Sequence, residues 1–220
     1  MPPQNFRFDF LALPPKARLR IYKYLLVCKP QDQITPEYRP AAAQPLTPSI
    51  LATCKQIHAE ACPILYSKNE FLVSEPERIF RWFTQIGRLN IKHLRKVRIF
   101  VEAVYSTKEI PFLSTASESL SWYKLLDQLA REATGLRHLH IYWDADPTCG
   151  HYGAGKDLRF VRELAKIHGL KSMDVAGYYA IHWPRYLTEK MGILVQEKDR
   201  SQPYLQYLRK YQQGTEKLVP

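Results

Sequence analysis

Cysteine is scarce in this chain, acid is outnumbered by base, and no long apolar run occurs. The four cysteines, Cys28, Cys54, Cys62 and Cys149, stand among 220 residues, and none forms a Cys-x-x-Cys pair. That density excludes a disulfide scaffold, and the lack of paired spacing argues against a structural zinc site. Reduced thiols in the cytosol or nucleus are the expected state. No stretch of about 18 apolar residues is present, so no membrane span is expected. The opening MPPQNFRFDF lacks the apolar stretch of a signal peptide. The phosphate-loop pattern G-x-x-x-x-G-K-S/T, the dinucleotide pattern G-x-G-x-x-G, H-E-x-x-H and G-x-S-x-G are all missing.

What is present suits a globular fold. Apolar residues make up 45% and charged residues 24%, enough to bury a core without a staple. Aromatics reach 12%, with 14 tyrosines, a residue at home on half-wet contact surfaces as well as in cores. Thirty-two basic residues against 21 acidic give a net charge of +11. Such a surplus attracts nucleic acid, acidic membranes or acidic proteins, without saying which. The charges are spread along the chain, with no run of five or six that would mark a basic arm.

Periodicity divides the chain. Leu13-Pro14-Pro15 opens a helix expected over Pro14–Val27, because proline in the first helical turn lacks only an N–H that has no partner there. Its apolar residues fall into two stripes, Ala17, Ile21, Tyr24, Leu25 and Cys28 on one side and Leu19, Tyr22 and Leu26 on the other. Lys16, Arg20 and Lys23 line one gap, and Arg18 sits in the other. Two stripes imply packing on both sides, by the chain itself or by a partner. Residues 29–47, with four prolines, read as an irregular insert. Thr47-Pro48 begins a second helix to about Tyr66, with Ile50, Cys54, Ile57, Ala61 and Leu65 on one face and Pro63 expected to kink or split it.

Beyond it the texture changes. Glu70–Val73 reads as a strand. A helix from Pro76, ended by Gly87, carries Ile79, Trp82, Phe83 and Ile86 at core spacing. Three segments then share the form L-x-x-Φ-x-Φ, where Φ is apolar: Leu94 to Ile99, Leu136 to Ile141 and Leu170 to Val175. Their alternation signals strands. Helices are expected over 117–133 (Leu120, Tyr123, Leu126, Leu129 and Ala130 inward) and 157–168 (Leu158, Val161, Leu164, Ala165 and His168 inward). Strand–helix units at intervals of about 34–42 residues predict a parallel sheet with helices on one side, in the irregular manner of leucine-rich repeats. A helix near Pro184–Met191, a strand at Ile193–Val195 and a tail helix from about Pro203 to Tyr211 complete the reading.

Chemistry-bearing clusters are few. Cys149-Gly150-His151, with Asp144 and Asp146 upstream, has the residue types of a metal or nucleophile site. It offers too few soft ligands for zinc, and a cysteine–histidine pair two residues apart is poor dyad geometry. A glycine-rich surface loop is the simpler account. The densest basic region, Arg88 to Arg98, holds Arg88, Lys92, His93, Arg95, Lys96 and Arg98, and its arginines and lysines form a candidate anion site. It runs from a helix into a strand, which points its charges several ways, and it lacks interleaved aromatics for base stacking.

The N-terminal string Leu13-Pro-Pro-Lys-Ala-Arg-Leu-Arg-Ile-Tyr-Lys-Tyr-Leu26 resembles the first helix of F-box motifs. The string Ile50-Leu-Ala-Thr-Cys-Lys-Gln-Ile-His-Ala-Glu-Ala-Cys-Pro-Ile-Leu-Tyr66, followed by Asn69-Glu-Phe71, is similar to a group of fungal F-box-like proteins, as is Ile91 to Ile99. The firm part covers about residues 8–104. Lys16 stands where the family usually has an acid, and the proline-rich insert replaces a short link. The resemblance implies a substrate-recruiting subunit that reaches a cullin-type ubiquitin ligase through an acidic Skp-type adaptor.

Together these readings predict an α+β chain. An F-box-like helical module spans 8–68 with its insert at 29–47, and a strand–helix region spans 69–220, packed with the module as one unit. The expected docking residues are Leu13, Pro14, Pro15, Leu19, Ile21, Tyr22, Leu25 and Leu26. No catalytic residue, metal or cofactor is expected, and the protein is expected in the cytoplasm or nucleus. Expected partners are the adaptor and an unidentified protein target. The alternatives are a basic anion or nucleic-acid binder and, behind it, an enzyme with a site near Cys149 and His151.

Overall fold

The structure, a computed structural model, describes residues 9–28, 34, 46–101, 113–143, 158–177 and 182–198. The tail-helix expectation at 203–211 and the Cys149–His151 loop lie outside them. The fold is α+β: a helical front end leads into an irregular layer of alternating strands and helices.

A 3-10 turn at Phe10–Ala12 precedes α1 (Pro15–Leu26). A second 3-10 turn, Pro48–Ala52, precedes α2 (Lys55–Lys68). The break between turn and helix falls at Thr53-Cys54, not at Pro63, through which α2 continues. Cys54 adopts an extended backbone (φ −159°, ψ 163°), and its Sγ accepts from the Ile57 N–H at 3.5 Å. It is therefore an exposed cap, not a member of the apolar face.

Five strands follow in chain order: β1 (Glu70–Val73), β2 (Lys96–Val101), β3 (His138–Trp143), β4 (Ser172–Gly177) and β5 (Val195–Glu197). They pair in that same order and all in parallel. The last strand begins where the expected Ile193–Val195 ends. Ile34 adds an isolated parallel bridge to Phe71 at the outer edge of β1.

Parallel neighbours need crossovers, supplied here by α3 (Pro76–Ile86) with α4 (Arg88–Ile91), α5 (Leu113–Glu132), α6 (Leu158–Leu164) and α7 (Trp183–Met191). Gly87, at φ 75°, turns the chain sharply between α3 and α4, a conformation that penalises any Cβ. α3 packs on α5, α5 on α6, and α6 on α7, so the helices form a layer.

The three leucine segments align in register. Val97, Leu139 and Met173 are cross-strand partners, as are Ile99, Ile141 and Val175. All six are buried, and Leu94, Leu136 and Leu170 are buried beneath the turns before their strands. Burying each such side chain stabilises the fold by roughly 1.5–3 kcal/mol. Of the alternate residues on the other face, Lys96, Arg98, His138 and His140 are half-buried or exposed, while Ala176 is buried. One apolar cluster runs from Tyr22 and Leu26 through the strands to Leu187 and Val195.

Two helices bury much of the expected stripe, Leu126 and Leu129 of α5 and Val161 and Leu164 of α6, but extend it to one side. α5 buries Trp122, Leu125, Leu126 and Leu129, with Ala133 just beyond it, while Tyr123 and Ala130 are only partly covered. Around α6, Phe160, Val161, Leu164 and Ile167 are buried, and His168 is exposed. Each helix has apolar residues around more than half its circumference, so spacing alone leaves the buried arc ambiguous.

Candidate functional site

Two surfaces are built well enough to bear on function: the outward face of α1 and a basic cavity at the strand-start edge of the sheet.

The orientation of α1 is fixed by a part-buried ion pair. Arg18 is only 6% exposed. Its Nε and Nη2 donate to the two carboxylate oxygens of Glu60 at 2.9 and 2.8 Å, a bidentate pair. Its Nη1 donates to the carbonyls of Leu11 and Leu13, tying the first 3-10 turn to the same centre. Tyr22 Oη and Gln56 Nε2 also donate to Glu60. The Arg18 guanidinium, then Gln56 and Tyr22, hold the Glu60 carboxyl down to about 2. Burial, reinforced by the Glu60 charge, pushes the Tyr22 hydroxyl up to about 12.

A second polar clamp closes the other end. Asn69 is buried, and its Nδ2 donates to the carbonyls of Leu26 (2.7 Å) and Leu65 (2.8 Å). Its Oδ1 accepts from the Cys28 N–H at 2.8 Å. One side chain thus caps the C-terminal ends of both α1 and α2.

These contacts sort the expected docking residues. Tyr22 and Leu26 are core, 1% and 0% exposed, and so are not available to a partner. Leu25 is half-buried against the core, and Leu13 and Ile21 are partly covered. Pro14, Pro15 and Leu19 are exposed. At 3.6 residues per turn, the side opposite Arg18 and Tyr22 carries Lys16, Arg20 and Lys23 side by side, bordered by Leu19 and Tyr24. All five are exposed, Tyr24 at 80%. The helix contains no carboxylate.

The basic cavity, of about 480 Å³, forms where α2 meets the starts of β2, β3 and β4. Pro63, Ser67 and Lys68 of α2 form one wall. His93, Arg95 and Lys96 come from the turn into β2, and Arg137, His138 and Lys171 from the turns into β3 and β4. The parallel ladder continues into these turns: the Arg137 N–H donates to the Arg95 carbonyl, and the Lys171 N–H to that of Arg137. The position after the repeat leucine is basic each time, so in-register stacking lines up Arg95, Arg137 and Lys171.

The guanidiniums are held in place. Arg95 Nη1 donates to the Lys92 carbonyl, and Arg137 Nη1 to the carbonyls of Thr134, Leu136 and Gly169. Gly135 permits this arrangement, because a Cβ there would fall on Arg95 Nη1 and on the Lys92 carbonyl. Burial, then Lys92 and Arg95, lower the pKa of His93.

Of the expected anion residues, only Arg95 and Lys96 line this cavity. Arg88 pairs with Glu132 at 3.4 Å, Arg98 pairs with Glu70 at 3.2 Å, and Lys92 is exposed at the end of α4. Lys68, Arg137 and Lys171 were not expected there. The signal that finds the last two is the basic residue following each repeat leucine.

The sheet face away from the helix layer carries the half-buried Phe100 and Tyr142, stacked at 4.9 Å with their planes 4° apart. Its charges are largely matched across strands, Arg98 to Glu70 and Asp174 to His140 and Lys198. His58 Nε2 lies 3.3 Å from Cys62 Sγ, but Cys62 is buried and burial raises its thiol pKa, the reverse of an activated nucleophile. Among the described residues, no group of three or more His, Cys, Asp or Glu could hold a metal ion. Among them too, no helix is long and apolar enough to cross a membrane.

The architecture is thus that of a helix-led parallel sheet with a cationic helix face and a cationic cavity. A family model described as Domain of unknown function (DUF7730) matches residues 28–144, just over half the chain, and the protein belongs to that family. The match runs from the end of α1 to the end of β3, covering Glu60, Asn69 and two of the three leucine segments. No curated protein and no solved structure matches the chain.

Proposed function

We propose that this protein is a non-enzymatic interaction module whose helical front end docks on an acidic protein surface. The specific form of the reading is an F-box-like subunit that brings a target to a cullin-type ubiquitin ligase through a Skp-type adaptor. The observation that carries it is the outward face of α1. Three cations stand together there without a carboxylate on the same helix, and Leu19 and Tyr24 border them in the open. An apolar contact with a basic rim suits an acidic partner, since complementary charge speeds encounter and fixes register. The rigid seating of α1 by Arg18, Glu60 and Asn69 lowers the entropy lost on docking. The target would meet the sheet face away from the helix layer, where Phe100 and Tyr142 offer a flat aromatic surface. The reading implies a cytoplasmic or nuclear protein.

The test is size-exclusion chromatography of the full chain mixed at micromolar concentration with a purified Skp-type adaptor. Co-elution is expected, and the Lys16→Glu/Lys23→Glu variant should elute separately while keeping its circular dichroism spectrum. Separate elution of the unsubstituted protein, or co-elution of the variant, contradicts the proposal. Anion binding is a second reading, supported by a different part of the molecule, the basic cavity.

A further inference from the structure

We infer that the cavity at the strand-start edge is a binding site for a compact ligand bearing two or more phosphate groups. Three features support this, none of which depends on docking by α1.

The first is unbalanced charge. Lys68, Arg95, Lys96, Arg137 and Lys171 converge on one concavity with no acidic residue in its lining. Arg18, Arg78, Arg88, Arg98, Arg131 and Arg185 each have a carboxylate within 4 Å. Among the described residues, none of the five cavity cations has such a partner. Gathering like charges costs Coulomb energy that a polyanion would relieve.

The second is preorganisation. Arg95 and Arg137 are anchored to backbone carbonyls through Nη1. Each guanidinium retains further N–H groups in a planar fork that matches phosphate oxygens. The backbone positions of Arg95, Arg137 and Lys171 follow from strand register.

The third is size and lining. About 480 Å³ lies in the range of small-ligand sites. Phenylalanine, tyrosine and tryptophan are absent from the wall, which leaves only the His93 and His138 rings for bases to stack on. Arg88 and Arg98, which would extend a track for a phosphate backbone, are committed to Glu132 and Glu70. Five positive charges, two of them anchored, match two or three phosphate groups, each of which carries roughly −1.5 to −2 at neutral pH when it is a monoester.

The experiment is isothermal titration of the full chain with sodium tripolyphosphate near physiological salt. Saturable binding at one site is expected. The Lys96→Ala/Lys171→Ala variant removes two exposed ammonium groups that hold no described backbone contact, and it should bind roughly tenfold or more weakly. Lys68→Ala, from the opposite wall, should weaken binding in the same direction. The Lys16→Glu/Lys23→Glu variant should bind as the unsubstituted chain does, which separates this site from the α1 face. Sedimentation with phosphatidylcholine vesicles containing phosphatidylinositol bisphosphate distinguishes the source. Capture that the cavity variant loses assigns the phosphates to a lipid headgroup, and no capture alongside a positive titration assigns them to a soluble ligand. No heat with tripolyphosphate, or unweakened affinity in both cavity variants, overturns the inference. So does a single-stranded RNA oligonucleotide that binds tightly and is not displaced by tripolyphosphate.

Discussion

Where α1 meets α2, directional polar bonds flank the apolar core: a bidentate Arg18–Glu60 pair, a tyrosine hydroxyl on the same carboxylate and an asparagine spanning both helix ends. Where β2, β3 and β4 meet, the buried centre is aliphatic, Val97, Leu139 and Met173 in one row and Ile99, Ile141 and Val175 in the next. The two regions solve the same problem differently. Short helices joined by a long proline-rich insert gain little from local sequence, so directional bonds specify how α1 sits. Repeated strands are aligned by hydrogen-bonded register, and nonspecific apolar packing then suffices. The lesson concerns the residues carrying the F-box-like resemblance. Glu60, Asn69, Phe71 and Tyr66 hold the front end together, and the exposed cations that could act on a partner lie between them and solvent.

Substitutions can break this contrast. The largest loss is expected for Leu139→Ala in the central strand, about 4 kcal/mol from lost burial plus a cavity, read by urea unfolding. Asn69→Ala should cost about 3 kcal/mol, because two buried carbonyls and an N–H lose their partner together. A substantially smaller loss would mean that the clamp is dispensable and that apolar packing also governs the front end.

Acid separates the regions further. Glu60 titrates at about 2 in the fold against an ordinary 4.5. Its stabilising contribution is therefore complete above pH 4.5 and is lost as pH falls towards 2. Glu60→Gln should flatten unfolding midpoints across that window. In the sheet, burial and Arg98 lower the pKa of His140, outweighing the opposing pull of Asp174. The unfolded chain then binds more protons, so stability should decline as pH drops below about 6.5. His140→Gln should remove that decline and leave the one at lower pH. The smallest effect is expected for Leu19→Ala and Tyr24→Ala. Each should change unfolding by no more than about 0.5 kcal/mol, yet weaken co-elution with the adaptor.

Much of the sheet was legible from sequence, because alternation after each repeat leucine is a local signal and the three segments fall into register as written. The end of α3 was legible from Gly87. The burial of Arg18 was not. A helical wheel assigns arginine to solvent, and only Glu60, 42 residues along the chain, reverses that. Cys54 was misassigned because its role as a cap depends on a backbone turn. The stripes of α5 and α6 were legible in part: Leu126, Leu129, Val161 and Leu164 are buried as expected, but Trp122, Leu125 and Phe160 beside them are buried too, and His168 is exposed. The cavity needed the repeats to be stacked before Arg95, Arg137 and Lys171 could be seen as neighbours.

Hydrogen–deuterium exchange of the full chain, with and without a purified Skp-type adaptor, tests the division of labour between the two regions most directly. Slower exchange confined to peptides covering 15–26 is the expected result, with 96–101 and 138–143 unchanged. Protection that falls on those strands while α1 exchanges as before would contradict the assignment of docking to the helical front end.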